Sequence, residues 1–270
     1  MKEIDFIKMS GSGNDFILID NRRDIIGKNR SRVARRLCER KASIGADGLI
    51  LIERSRSQNF QMRIFNPDGS EPEMCGNGVR CAALFARMKG IAPSKMRIQT
   101  KAGEIRSEIR DRNVRVNMTL PIDIKIDYPL RFEGREFEVS SINTGVPHVV
   151  IFTTDLEKID VEEMGRKIRF HKEYAPQGTN VNFISVNSPN CIYIRTYERG
   201  VESETLACGT GATASAIVSG LKGLVKSPVR VKTRGGEELI IHFSKNKSGS
   251  INSVALEGRA GVIYKGKVSL

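Results

Sequence analysis

MCGNGVRCAA (74–83) and ACGTGATASA (207–216) decide how this chain folds, because each sets a cysteine before Gly-x-Gly and a run of small residues. Cys75 and Cys208 are 133 positions apart, and almost the same offset joins other pairs. It relates Gly13 to Gly145, Gly45 to Gly178, Arg63 to Arg195, and Gly76 and Gly78 to Gly209 and Gly211. It also relates Thr100, Gly103 and Glu104 to Thr233, Gly236 and Glu237, so that QTKAGEI (99–105) stands opposite KTRGGEE (232–238). One offset held over several separate segments marks an internal duplication.

Two similar domains are therefore expected, roughly 1–121 and 122–261, with a last strand near 262–270 that returns to the first. Short β-branched or alternating runs predict strands at the N-terminus and at 14–20, 47–53, 60–66, 96–100, 104–110 and 113–119. In the second half strands are expected at 137–143, 148–153, 181–187, 190–197, 229–233, 237–244 and 251–257. Each half carries one main helix after its Cys-Gly-x-Gly, near 76–89 and 209–221, and a secondary helix, near 31–41 and 160–170. Small residues on most sides of the main helices predict close approach by neighbours. The fold class is α+β: two pseudo-symmetric domains, each a curved, mostly antiparallel sheet around a central helix.

Each cysteine of the pair is placed where a main helix begins. Orphan backbone N–H groups and the positive end of the helix dipole meet there, so both thiols are expected to ionise more readily than usual. The same N–H groups can dock a carboxylate. A thiol and a thiolate on opposite faces of one carbon can invert it, one removing the α-proton and the other returning one. The pattern thus points to an amino-acid racemase or epimerase with Cys75 and Cys208 as its acid/base pair and no cofactor.

Composition narrows the alternatives. Five cysteines, odd in number and widely spaced, argue against a disulfide framework. With no CxxC and only three scattered histidines, no metal is expected. The net charge of +13 comes from dispersed residues without a basic block, and aromatics are 6 %, so a nucleic-acid partner is not expected. No apolar run approaches the ~18 residues of a membrane span, and residues 1–7 lack the apolar core of a signal peptide. A cytoplasmic protein acting on a small molecule is expected, its oligomeric state open and a homodimer among the alternatives.

GSGNDFILID (11–20), RIFNPDGSEPEMCGNGVRCAA (63–83), GTNVNF (178–183) and RTYERGVESETLACGTGA (195–212) resemble the diaminopimelate epimerase family, with GVPH (145–148) a partial match. The resemblance runs through both halves in order. It implies cofactor-independent interconversion of LL- and meso-diaminopimelate, a step toward lysine and peptidoglycan, with Cys75 and Cys208 as acid and base. It also implies that Gly76, Asn77, Gly209 and Thr210 hold the carboxylate at the reacting carbon, that Glu198 binds the reacting amino group and that Arg199 pairs with the distal carboxylate. Asn14, Asn66 and Asn180 would complete the distal site, with His148 a supporting residue near the cleft. Many members have Gln in place of Gly48 and Asn in place of Val146, and the segment from Arg199 to Cys208 is one residue longer than usual. A racemase for another polar amino acid is the alternative on the same fold.

Overall fold

A computed structural model describes residues 3–111 and 113–270. In chain order its elements are β1 (Glu3–Gly11), β2 (Asn14–Asp20), α1 (Arg30–Cys38), β3 (Gly48–Glu53), β4 (Phe60–Phe65), α2 (Gly76–Met88), β5 (Lys95–Thr100), β6 (Gly103–Arg110) and β7 (Asn113–Asn117). There follow β8 (Ile122–Phe132), β9 (Arg135–Asn143), β10 (Pro147–Phe152), α3 (Val161–Arg169), β11 (Asn180–Ser188), β12 (Cys191–Glu198) and β13 (Ser203–Thr205). The chain ends with α4 (Gly209–Leu221), β14 (Val229–Lys232), β15 (Glu238–Lys245), β16 (Ile251–Arg259) and β17 (Gly261–Ser269). It divides into two units, Met1–Asn117 with Gly258–Leu270, and Met118–Glu257, each boundary four residues earlier than the repeat suggests.

In the first unit the strands run β17-β1-β2-β3-β4-β5-β6-β7, antiparallel except for β2–β3 and β4–β5. The sheet curls around α2, which packs against β1, β2, β3, β4, β6 and β7. Its central strands are apolar on both faces because each face has its own helix. Phe16, Leu18, Ile50 and Ile52 point to the core of α2, whereas Ile17, Ile19, Leu49 and Leu51 point to that of α1. A strand covered on both sides reads as a continuous apolar run, which is what FILI (16–19) and LILI (49–52) are.

The second unit repeats this plan. Its strands run β8-β9-β10-β11-β12-β14-β15-β16, with β13 also on β12, antiparallel except for β10–β11 and β12–β14. The α4 helix is buried on all sides from Gly211 to Gly220 and packs against β9, β10, β11, β12, β14 and β15. The duplication extends to register. Phe16 pairs with Gly48 in the parallel pair β2–β3, and His148 pairs with Asn180 in β10–β11. Even an ion pair recurs, with Arg63 gripping Glu71 through two bonds of 2.7 Å and Arg195 gripping Glu204 through bonds of 2.7 and 2.8 Å.

Two strands escaped the sequence patterns, the three-residue β13 and β8. The β8 segment IDIKIDYPLRF carries a proline, exposed charges and two register shifts against β9. A proline tolerates a strand only where its missing donor is not needed, and Pro129 meets that condition on a strand that, among the described residues, pairs with β9 alone. Among the described residues no helix is long and apolar enough to cross a membrane.

Candidate active site

In the first unit the turn before α2 ends at Cys75, whose extended backbone makes it the N-cap. Its Sγ accepts the Gly78 N–H at 3.4 Å, one of the orphan donors of the first turn. Asn77 follows in that turn. Its Nδ2 donates to Asn14 Oδ1 at 2.7 Å, across from the start of β2. Asn14 Nδ2 in turn donates to Asp47 Oδ2 at 3.0 Å. Asn66 closes β4 in a tight turn, its Nδ2 donating to Ser70 Oγ at 2.9 Å, and no hydrogen bond joins it to Asn14 or Asn77. The fold therefore links Cys75, Gly76, Asn77 and Asn14, but leaves Asn66 in its own turn.

In the second unit Cys208 caps α4 in the same extended conformation, 9 % exposed, with its Sγ 3.4 Å from Thr210 Oγ1. The first-turn N–H groups of Thr210 and Gly211 face its sulfur less closely than Gly78 faces Cys75. The lowered thiol pKa expected at both helix starts does not hold at Cys208. Burial, and next the Glu198 carboxylate, push this thiol up to about 12, against the weaker pull of Thr210 and the first-turn N–H groups. Desolvation outweighs the helix terminus, because removing water penalises the charged form directly. Glu198, at the end of β12, is itself partly buried, and desolvation holds it above the usual carboxylate range, an effect the neighbouring Thr205 and Cys208 side chains partly offset. It is not the surface carboxylate that a strand end suggests.

Arg199 follows Glu198. Its Nη1 reaches only the Gln177 carbonyl, at 3.4 Å, and no carboxylate pairs with it among the described residues. Asn180 braces it, accepting the Arg199 backbone N–H at 2.9 Å while donating to Pro147 O at 2.9 Å. His148 lies beside Asn180 in the ladder and is fully buried, which, with the nearby Arg199 charge, lowers its pKa to about 3 and keeps it neutral. Its Nδ1 meets Asn182 Nδ2 at 3.1 Å, and Asn182 also donates to Val149 O and accepts from Thr196. Asn182 carries the floor beneath α4: a Cβ on Gly211 would lie 2.3 Å from its Oδ1. Thr210 is anchored through its carbonyl, which accepts from Thr144 Oγ1 at 3.1 Å.

Asp47, Arg80, Asn182 and Thr205 touch these residues, yet nothing in the motif spacing singles them out. A fully buried arginine in the first turns of an apolar helix is the one signal in the sequence, since such a charge must have partners. Glycine at position 48 has a local cause. A Cβ there would come within 3.0 Å of Phe65 O and 3.3 Å of the Phe16 ring. All five cysteines are free thiols, and among the described residues no three His, Cys, Asp or Glu side chains gather as a metal site would require.

Similarity to known proteins covers the same ground. The family model described as diaminopimelate epimerase matches residues 6–122 and 140–260. The diaminopimelate epimerase of Aquifex aeolicus is 47 % identical over 98 % of both chains, and that of Hydrogenobaculum is 45 % identical over 97 % of both. Among solved structures, a phenazine biosynthesis protein of the PhzF family from Bacillus anthracis superposes with a TM-score of 0.75 over 100 % of both chains at 16 % identity. A hydroxyproline epimerase from Agrobacterium vitis superposes with a TM-score of 0.70 over 99 % of this chain and 93 % of that one at 14 % identity, and both likenesses speak to the fold. With two curated relatives at this level and a model spanning both halves, the chain belongs to the diaminopimelate epimerase family.

Proposed function

We propose that this protein interconverts LL- and meso-diaminopimelate without a cofactor, with Cys75 and Cys208 acting on opposite faces of one α-carbon. The observation that carries the reading is the matched placement of the two thiols. Each is the N-cap of a 13-residue helix beginning with glycine, in units that share one register. No other pair among the five cysteines has that equivalence.

The two environments suggest which thiol starts as acid. Cys208 is held protonated, so it is the donor in its resting form. Cys75, whose sulfur already accepts a backbone N–H, is the base for that direction. It takes the α-proton as Cys208 delivers one to the opposite face, and the roles reverse for the other isomer. First-turn N–H groups at Gly76, Asn77, Gly209 and Thr210 would stabilise the carboxylate as charge builds on it. Glu198 would take the reacting ammonium group. Arg199, without a carboxylate partner of its own, would take the distal carboxylate.

The test is proton NMR in D₂O with reduced protein and LL-diaminopimelate, no cofactor added. Loss of the Cα–H signal with formation of the meso isomer is expected. Turnover only of another polar amino acid would keep the cysteine chemistry and move the substrate, and inertness toward all amino acids would defeat the proposal.

A further inference from the structure

Asn14 and Asn77 are ambivalent groups, since a primary amide can present either its oxygen or its nitrogen. What surrounds them removes the choice. Asn77 Oδ1 faces Arg80 Nη2 at 2.9 Å, and a guanidinium can only donate. Asn14 faces Asp47 Oδ2 at 3.0 Å, and an ionised carboxylate can only accept. Between these ends the two amides must orient head to tail, which is the order observed: Arg80 donates to Asn77, Asn77 to Asn14, and Asn14 to Asp47.

Both ends are held from outside. Arg80 is fully buried on α2 and also donates to Ser12 Oγ. Asp47 accepts Arg40 Nη2 at 2.8 Å and the Asp15 backbone N–H at 3.1 Å, while the Asp47 N–H bonds back to Asp15 Oδ1 at 3.0 Å. Along this row each carbonyl oxygen accepts from its neighbour in the row. Each Nδ2 spends one hydrogen within it and keeps the other.

We infer that Asp47 and Arg80 are positioning residues that lock Asn14 and Asn77 with their amide hydrogens available to substrate, so that this half of the site recognises carboxylates and rejects neutral amides. The inference rests on the diaminopimelate reading above. It adds how discrimination arises: a site of fixed donors leaves an incoming N–H unpaired, and such mismatches separate substrates strongly. Arg80 cannot lose its proton, so it holds its end of the row at every working pH, while Asp47 holds the Asn14 end.

Two substitutions at Asp47 separate positioning from mere charge. In Asp47→Asn the side-chain oxygen can stay opposite Asn14 Nδ2 while the new amide nitrogen turns to Arg40, which is exposed and keeps its own pair with Asp15. In Asp47→Ala the acceptor is gone and Asn14 Nδ2 is no longer held in place, so the Asn14 amide is free to swing and its bond with Asn77 loosens. The readout is the ratio of kcat/KM for LL-diaminopimelate to that for its distal monoamide. About a tenfold drop is expected in Asp47→Ala, chiefly through KM for the dicarboxylate, with Asp47→Asn within about threefold of the unsubstituted protein. A ratio unchanged in Asp47→Ala, or equal losses in both variants, would overturn the inference.

A second readout needs no substrate. In ¹⁵N spectra of the side-chain amides, assigned with Asn77→Asp, the Asn77 signals should move in Asp47→Ala and stay in place in Asp47→Asn, although Asp47 does not touch Asn77. Immobile Asn77 signals in Asp47→Ala would break the row. If the unsubstituted protein failed to epimerise diaminopimelate, the functional reading would fall while these spectra still decided the positioning role.

Discussion

The two helix starts share a backbone and differ in what braces them. Beneath α2 the floor is apolar: Phe16 and Gly48 pair across β2–β3, and a Cβ on Gly78 would first meet the methyl ends of Ile50, Ile64 and Met62 at 3.2 Å. Beneath α4 the equivalent places hold His148, Asn180 and Asn182, and the Cβ would strike Asn182. Polarity is traded the other way around the first turn. Asn14, Asp47 and Asn77 in the first unit stand where the second has Val146, Thr179 and Thr210. The duplication thus preserves register, which a one-residue slip would destroy by turning every side chain to the wrong face. It leaves side chains free to give each thiol its own environment: Cys75 with a backbone donor, Cys208 buried next to a carboxylate.

Removing either thiol is the largest expected effect and the sharpest test of division of labour. Cys75→Ala and Cys208→Ala should each lower epimerisation by at least about 10³-fold, in the range that a positioned acid or base contributes. Solvent exchange should separate the halves. With Cys208 gone, Cys75 can still exchange deuterium into the isomer whose α-proton it faces, without inversion, and Cys75→Ala should exchange the other isomer. Inversion surviving in either variant, followed by NMR in D₂O, would contradict the two-thiol scheme.

The contrast in thiol environment predicts different reactivity. At pH 8 Cys75 should react with iodoacetamide before Cys208, because the thiolate is the nucleophile and Cys208 remains protonated up to about 12. Glu198→Gln removes the second of the two causes that hold Cys208 up, so its alkylation at pH 8 should speed up measurably, by about tenfold at most. Peptide mass mapping reads both sites in one digest. Equal rates at the two cysteines in the unsubstituted protein would show that the halves do not differ in this way.

Matched glycines test the floors. Gly78→Ala should change stability by less than about 1 kcal/mol, since the flexible ends of Ile50, Ile64 and Met62 can give and alanine favours the helix. Gly211→Ala should cost about 3 kcal/mol, because the new methyl overlaps a buried amide that also serves His148, Val149 and Thr196. Urea unfolding of both variants measures the difference, and similar losses would mean that the two floors are equally yielding.

How much of this was open to sequence reading follows from where each cause lies along the chain. The helices, the repeat and the thiol pair were legible because Cys-Gly-x-Gly and its small-residue run are local. The β8 strand was hidden by Pro129, whose tolerance depends on which edge is left without a partner. Asp47 and Arg80 were hidden because their partners lie 33 and 3 residues away in sequence but belong to one row only after β2, the β3 entry and α2 converge. The ionisation of Cys208 departs from the sequence expectation because a helix N-terminus can be recognised in a motif, whereas burial and the approach of Glu198 require the folded chain.

The smallest expected effect is the acid response of the polar floor. His148 titrates near 6.5 when unfolded and at about 3 in the fold. A histidine with a depressed folded value binds its proton first in the unfolded chain. Its contribution to stability is therefore fully present above about 6.5 and is lost as pH falls toward 3. Between pH 7 and pH 5 this amounts to about 1–2 kcal/mol. His148→Phe installs the residue that the other half has at this place and should flatten that part of the urea-midpoint profile, whatever it does to stability at pH 7. A slope between pH 7 and 5 as steep in His148→Phe as in the unsubstituted protein would place the acid sensitivity elsewhere. A flattened slope would tie it to the one floor of the two that carries a titratable ring.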